Sequence, residues 1–517
     1  MAILIAFLLF SLSLLINIIG SKRWNKGPYK GPTVYPLVGI TFEFLRNRNR
    51  FLEWATDAVS RTPSKTFIVR RPGVAGFYIA NPANVEHILS TKFVNYPKGE
   101  RFSFLLHDFL GSGIFNVDGE LWRMQRKVAS YEFNTKSLRS FVVETVQWEI
   151  QNRLMPLLSR VSKTSATIDM QDVLHRFAFD NICKVAFGVD PACLHSSLPR
   201  SPFAEAFDDA THISSGRFFY IFPYLWRIKR FLNVGSERKL RKAIGVVDEF
   251  AMDIIRSRRK EMGKKKKEDL LSRFMEAVVG NPELEKPFDE MEIRSLLEKS
   301  ELFLRDMVVS FIMAGRDTTS TALTWFFWLL SSRPCVEDTI RSEILQLLAA
   351  RNGRAEEGES KWVVFSFEEL KEMHYLHAAL CESLRLCPPV PLDTKLAAAD
   401  DVLPDGNVVR KGWFVSYSIY SMGRMESIWG SDCLEFKPKR WLKNGKFVAE
   451  DPYKFPVFQA GPRICLGKEM SFIQMKSVVA SVLHRYSVKA ETEYSPKYSL
   501  SITLRMKGGL PVMIIRL

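Results

Sequence analysis

The sequence predicts a mostly α chain with a small β region (α+β), and three observations carry that class. From about residue 83 to 350 apolar residues recur at helical spacing and strand signals are few. Strand patterns gather near the two ends: residues 66–80 (TFIVRRPGVAGFYIA) around Pro72-Gly73, and the tail from Ser501 to Ile515 around Gly508-Gly509. Two long runs, 306–332 and 468–486, have no internal proline or turn signal and predict helices. With 46% hydrophobic and 25% charged residues, the 517-residue chain can bury a substantial core. No repeat of solenoid length is present.

The chain opens on an uncharged stretch, residues 2–20, long enough to cross a bilayer as one helix. A cleaved signal peptide wants positive charge ahead of the apolar run, and only Met1 precedes this one. The basic residues follow it: Lys22, Arg23, Lys26 and Lys30. By the positive-inside rule that flank stays cytoplasmic. The expected organisation is a retained transmembrane anchor over 1–21, a basic Pro/Gly-rich linker over 22–40, and one domain over 41–517. The seven cysteines (183, 193, 335, 381, 387, 433, 465) are odd in number and form no CxxC pair. Neither a disulfide framework nor a zinc ribbon is indicated, and a reducing, cytosol-facing location fits. The net charge of +16 is spread along the chain and accompanies no nucleic-acid module, so no nucleic-acid partner is expected.

Trp122 and Arg126 lie four apart in a basic helical segment, so one helix face carries both toward a common ligand. The aromatic stretch 218–226 reads as core, as an apolar patch resting on a membrane, or as substrate-channel lining. Arg256 to Lys267 is a solvated basic loop with scope for anionic lipid. The 306–332 run would be about 40 Å long as one helix. Asp306, Arg316 and Asp317 make a membrane span costly there, so it predicts a central helix of the globule. At its middle stands Ala314-Gly315-Arg316-Asp317-Thr318-Thr319. Small residues at 314 and 315 leave room for a flat cofactor or an oxygen molecule. The Thr318 hydroxyl can bond the Ala314 carbonyl at i−4 and loosen the helix. Asp317 beside it offers an acid to pass protons inward. Glu382 and Arg385 sit at i and i+3 on a helix, worth little as a surface pair.

The remaining motif is Phe458-Gln-Ala-Gly461-Pro-Arg463-Ile-Cys465-Leu-Gly467, followed at once by the 468–486 pattern. Gly461 and Gly467 permit φ > 0 and can turn backbone N–H groups toward the sulfur. The helix behind it would favour the thiolate, and a thiolate so held suits axial ligation of haem iron. A buried core cysteine ahead of a helix is the plain alternative.

Phe458, Gly461, Arg463, Cys465 and Gly467 together resemble the haem-ligand signature of the cytochrome P450 family. The other motifs occur in that family's order. The resemblance implies the P450 fold behind the anchor, haem b ligated by Cys465, and propionates held by Trp122, Arg126 and Arg463. It implies Thr318 and Asp317 as the oxygen-activating pair. It also implies a buried structural cluster of Glu382, Arg385 and Arg440, the last within Phe436-Lys-Pro-Lys-Arg440-Trp441. The implied partners are an NADPH–cytochrome reductase and membrane lipid, with the chain at the endoplasmic reticulum and its catalytic domain cytosolic. An isomerase or dehydratase of this family needs no external electrons but often lacks the threonine, which is present here; a non-catalytic haem carrier would not need the proton-relay motif. Residues 177–191 with 458–463 resemble the plant fatty-acid ω-hydroxylase clan, most of all its ninety-fourth family. That implies terminal hydroxylation of a lipid chain: a fatty acid, a steroid side chain (C-26), or a jasmonoyl-amino acid conjugate. Expected channel walls are Phe115, Ile312, Met313, residues 390–394 and Leu504, with Arg101 and His107 as candidate cations for a carboxylate.

Overall fold

The computed structural model describes residues 31–35, 38–133, 136–195, 197–199, 201–220, 225–262, 269–280, 300–351, 362–491 and 494–517. The proposed anchor, most of the linker and the Lys264–Lys267 run lie outside these residues. Among the described residues no helix is long and apolar enough to cross a membrane.

The N-terminal hairpin forms as expected: β1 (Thr66–Arg71) pairs antiparallel with β2 (Val74–Ile79). Gly73 takes φ 70 at the turn, a value its missing Cβ makes accessible. Helices then dominate. Those that build the site are α1 (Gly99–Leu110), α2 (Gly119–Phe133), α3 (Met170–Phe187) and α4 (Pro202–Gly216). Asp169 caps α3 by accepting from the Gln171 N–H, and Ser201 caps α4 through the Ala204 N–H.

The predicted central helix is present and starts earlier. It runs as α5 (Ser300–Ile312), a π-turn over Met313–Asp317, and α6 (Thr318–Ser331). Nearly every described side chain of α6 is buried, and Asp306, Arg316 and Asp317 are buried with it. It is the axis of the fold. It packs against α3, against α7 (His374–Leu386), and against α8 (Lys468–Arg485), the helix predicted behind the cysteine loop.

Two further strands, β3 (Asp393–Leu396) and β4 (Phe414–Tyr417), extend the hairpin into a four-stranded sheet of order β1-β2-β4-β3. β2 and β4 are parallel, and the rest antiparallel. The tail departs from expectation. Its strands, β7 (Leu504–Lys507) and β8 (Pro511–Arg516), do not pair with each other across Gly508-Gly509. β7 pairs with β6 (Lys497–Leu500), while β8 pairs with β5 (Tyr486–Ala490) and the two-residue strand Ile168–Asp169. The glycines do turn, at φ 89 and 81, but the corner is clasped from outside. Asp169 accepts from the Leu510 N–H at 2.8 Å, and a Cβ on Gly509 would strike its carboxylate. The turn residues behave as read; the partner of β8 is set by the distant strands Tyr486–Ala490 and Ile168–Asp169, which no local pattern reveals.

Candidate active site

Two segments build the site: the cysteine loop ahead of α8, whose Leu466 packs against the core cluster that holds Ile312 and Met313, and the π-turn in the central helix. Cys465 is tied into its loop by its N–H, which donates to the Phe458 carbonyl at 2.8 Å. Gly461 has φ 64, and a Cβ there would collide with the Leu89 carbonyl. Gly467 instead sits at φ −85 as the cap of α8, so positive φ was the wrong reason for it. Its backbone N–H bonds the sulfur. Cys465 has open surface, yet burial still pushes its thiol pKa up, over the opposing effects of the Gly467 N–H, Arg126 and Lys468. The Gly467 N–H acts on the sulfur in the expected direction, but burial outweighs it on the free thiol.

Around that opening stand the expected cations. Arg126 donates to the Ile464 carbonyl, and the Arg463 guanidinium lies 4.4 Å over the Trp122 ring. Arg463 also pairs with Asp118 at 2.6 Å. One further basic group escaped the sequence reading. Lys395 is buried against Asp393 at 3.1 Å, close enough to Arg463 to feel its charge, and burial pushes its ammonium down to about 7. Asp393 also accepts from Lys98, Tyr417 and Gln459. It is the hub of a polar network rather than an apolar wall. The strand spacing of β3 points Asp393 and Lys395 to one side, which is the signal that was available. Gln459 holds φ 61 and ψ 179, a conformation natural to glycine, and its side chain is pinned by Tyr417 and Asp393.

In the π-turn, the Thr318 hydroxyl donates to the Ala314 carbonyl at 2.6 Å, as predicted. Ser320 and Thr324 repeat this i−4 bond at 2.6 and 2.7 Å, so the helix is loosened over several residues. Ala314, Gly315 and Thr318 are half-buried, while Met313, Arg316, Asp317 and Thr319 around them are buried. Ala314 and Thr318, four residues apart, share a face that keeps accessible surface inside the core. Gly315 serves a different purpose from the one expected. A Cβ there would sit 2.5 Å from Ile182, so its smallness admits α3, not a cofactor.

Asp317 is buried and pairs with Arg316 at 3.1 Å. Burial raises its carboxyl pKa to about 6, with Arg316 opposing. One ligand-type atom each from His175, Asp208 and Asp317 lie within 4.8 Å of one another. Arg316 and Arg505 both pair with Asp208, at 2.8 Å for Arg316, and burial's upward push on Asp208 is overcome so that it stays well below the usual carboxylate range. Two guanidiniums thus balance two carboxylates, and the group is an ion-pair network. Neither His175 nitrogen has a hydrogen-bond partner among the described residues, and burial keeps the ring neutral.

The predicted structural cluster is fully assembled. Glu382 takes two bonds from Arg385, each 2.8 Å, and one from Arg440 at 2.9 Å. The Lys437 N–H and Trp441 Nε1 complete its shell. Of the expected walls, Phe115 is half-buried, whereas Ile312, Met313 and Leu504 are buried in packing. His107 is exposed.

A cysteine sulfur with a backbone N–H on it and open surface beside it, with Arg126 nearby and Arg463 stacked over Trp122 in the same region, fits a planar, anionic, metal-bearing cofactor. The fold and this site define the haem-thiolate class. The cytochrome P450 family profile matches residues 29–510, and the chain belongs to that family. Within it, similar proteins include several of the ninety-fourth family and cytochrome P450 86B1 of Arabidopsis thaliana, 44% identical over 94% of this chain and 86% of the relative. Cytochrome P450 94A2 of Vicia sativa is 46% identical, covering 99% of this chain and 98% of the relative. Cytochrome P450 94B3 of Arabidopsis thaliana is also 46% identical, over 100% and 98%. CYP94D108 of Paris polyphylla is 46% identical over 92% and 90%. The chain is therefore a monooxygenase of the fatty-acid ω-hydroxylase clan, using haem iron, O2 and electrons passed from NADPH by a reductase.

Proposed function

We propose that the protein hydroxylates the terminal carbon of a lipid aliphatic chain, a long-chain fatty acid first, at the endoplasmic reticulum membrane. The observation that carries the reading is the Cys465 sulfur held by the Gly467 N–H beside Arg126, together with the Thr318–Ala314 bond in the π-turn of the central helix. In this reading Cys465 ligates the iron and Trp122, Arg126 and Arg463, joined by Lys395, hold the propionates. Bound haem supplies the oxygen activation that places one oxygen atom into a C–H bond. Thr318 holds a proton at Oγ1, and the Asp317 carboxyl, titrating near 6, replenishes it when it turns away from Arg316. Glu382, Arg385 and Arg440 support the cysteine loop. Membrane docking is supported by the short helix Leu225–Leu232, where Ile228, Phe231 and Leu232 are exposed beside Arg227 and Arg230. It would act with the 1–21 anchor, and the 22–40 linker would join that anchor to the 41–517 domain.

Terminal attack is a matter of positioning, because a primary C–H bond is stronger than the secondary ones beside it. The walls must hold the chain end-on, with the head group away from the iron. Phe115, Val390 and Leu392, all half-buried, are the side chains suited to that. Mass spectrometry of the product decides it. Oxygen on the terminal or adjacent carbon is expected; oxygen mainly in mid-chain or on a ring carbon sinks the end-on geometry.

Thr318→Ala should leave the substrate-induced spectral shift intact and lower product per NADPH consumed, with the balance of electrons ending in peroxide or water. A positioned acid contributes about 10²–10⁴-fold, so the loss should be plain. Parallel loss of binding and turnover would instead indicate damaged packing of the central helix.

A further inference from the structure

The His175 ring, on α3, is buried, and neither of its nitrogens has a hydrogen-bond partner among the described residues. A buried polar ring left without partners carries a cost that packing alone does not explain. Its surroundings are charged. One of its nitrogens and one carboxylate oxygen each of Asp208, on α4, and Asp317 lie within 4.8 Å of one another. Two guanidiniums complete the group: Arg316 bridges Asp208 at 2.8 Å and Asp317 at 3.1 Å, and Arg505 of β7 pairs with Asp208. On α3 itself, Asp172 is taken up by Arg176 at 2.8 Å. Two guanidiniums against two carboxylates leave no charge for a metal cation to balance. The network reaches accessible surface at Asp208 and Arg505, both half-buried, while Arg316 and Asp317 are buried. It therefore runs from a wetted edge to the carboxyl beside Thr318.

Few of these groups can move a proton. A guanidinium keeps its protons, and Asp208, paired with two of them, stays ionised. A neutral imidazole can accept at one nitrogen while it donates from the other. Burial, then Arg505 and Arg316, keep the ring neutral against the pull of Asp208. We propose that His175 is a positioning residue for the proton supply: the Asp317 carboxyl turns to it on leaving Arg316 and takes its next proton from it. The gap to close is at most 4.8 Å, within the sweep of an aspartate side chain. Once Asp317 has given its proton toward Thr318, its carboxylate takes the N–H proton of the ring. The opposite nitrogen takes one from a hydronium ion at the Asp208 edge, which is left as water. The ring ends neutral with its proton on the other nitrogen, and a flip restores the first tautomer. Nitrogens without fixed partners are what this exchange needs, since a standing hydrogen bond would have to break at each turn. The ring was missed in the sequence because a histidine inside an apolar helix face looks like core, and its neighbours come from three other elements.

The inference rests on the reading of Thr318 and Asp317 as the oxygen-activating pair, and its test separates the two. The holoenzyme is compared as wild type, His175→Phe, His175→Gln, Asp317→Asn, and the double variant His175→Phe with Asp317→Asn. Each is run with reductase and NADPH on whichever of palmitic acid, jasmonoyl-isoleucine and a hydroxysterol gives wild type the largest haem spectral shift. Unchanged resting haem and substrate-induced spectra serve as the fold controls, and the glutamine variant stands in where phenylalanine overfills the site. Each His175 variant should lose about ten-fold in product per NADPH, less than the 10²–10⁴-fold of a group acting directly. Burial brings the Asp317 carboxyl to about 6, so the loss should deepen as pH rises above that value and the carboxylate must recover its proton unaided. The solvent deuterium isotope effect on product formation should rise as well. The double variant should be no worse than Asp317→Asn alone, because the ring acts through that carboxyl. A packing role would move neither the pH profile nor the isotope effect. Wild-type coupling and pH profile in both His175 variants, with Asp317→Asn uncoupled, overturns the inference and leaves the pair standing. Additive losses in the double variant overturn it too, by giving His175 a route that bypasses Asp317. Wild-type coupling in Asp317→Asn removes the pair itself, and the inference with it.

Discussion

Cys465→Ser is expected to abolish the thiolate-type absorption of the ferrous CO adduct and, with it, NADPH-supported product formation. The argument is one of uniqueness among the described residues. Six other cysteines exist, and five of them do not compete. Cys183, Cys381, Cys387 and Cys433 are buried, and burial pushes the first three thiols up in pKa; Cys335 is exposed on a surface helix. Cys193 is half-buried, its backbone N–H donates to the Asp180 carboxylate, and its thiol is likewise pushed up, to about 12. Among the described residues only Cys465 combines open surface with a backbone N–H on its sulfur and the Arg126 cation nearby. Those two groups stabilise negative charge on sulfur, but burial wins on the free thiol, so the thiolate state depends on the metal it binds. Serine keeps the size and the hydrogen bond while losing the soft ligand, so the loop should stay folded and the electronic signature should go. Survival of that band unchanged in the variant would mean that another residue ligates the iron.

Much of this site was legible in the sequence because it is local. The Cys465 loop, the 314–319 motif and the Thr318–Ala314 bond are each set by residues within one or two helical turns, and each lies where its spacing placed it. What was not legible depends on contacts between distant elements. Gly315 is small for the sake of Ile182 on α3. Asp317 faces Asp208 and His175, which come from two other helices. Lys395 becomes a buried cation only because β3 is enclosed by the loop carrying Arg463. The tail strands chose partners by where α8 ends rather than by their own turn. Residue type and spacing find the chemistry that a single segment can hold; they do not find a charge whose meaning comes from what surrounds it.

Glu382→Gln is expected to be the most damaging single change outside the haem ligand, leaving little or no haem-bound protein. Glu382 and Arg385 are fully buried, and the carboxylate is the acceptor for Arg385, Arg440, the Lys437 N–H and the Trp441 indole. Burial by itself would raise the Glu382 pKa; Arg385, the Lys437 N–H and Arg440 overcome it and hold the group below its ordinary value. Glutamine has nearly the same shape but no charge, and it turns one acceptor into a donor facing donors. Arg385 would keep its bonds to the Cys433 and Glu435 carbonyls but lose its counter-ion in a dry site. Breaking a buried pair by removing one partner costs about 3–5 kcal/mol; here Arg385 loses its counter-ion, while Arg440 keeps Asp432 at 3.1 Å. The damage has a path to the haem site: Trp441 packs against Phe455 at 4.7 Å, and Phe455 leads through the 3-10 turn Pro456–Phe458 into the loop that carries Cys465. Because the folded pKa lies below the unfolded one, the stabilisation is present above the ordinary glutamate pKa and is lost as pH falls through the depressed value. Wild type should therefore show an acid limb in its thermal stability that the variant lacks. Haem content per chain and denaturation temperature across that range, measured on both proteins, check it; a variant with wild-type haem content and an unchanged acid limb would show that the cluster does not support the cysteine loop.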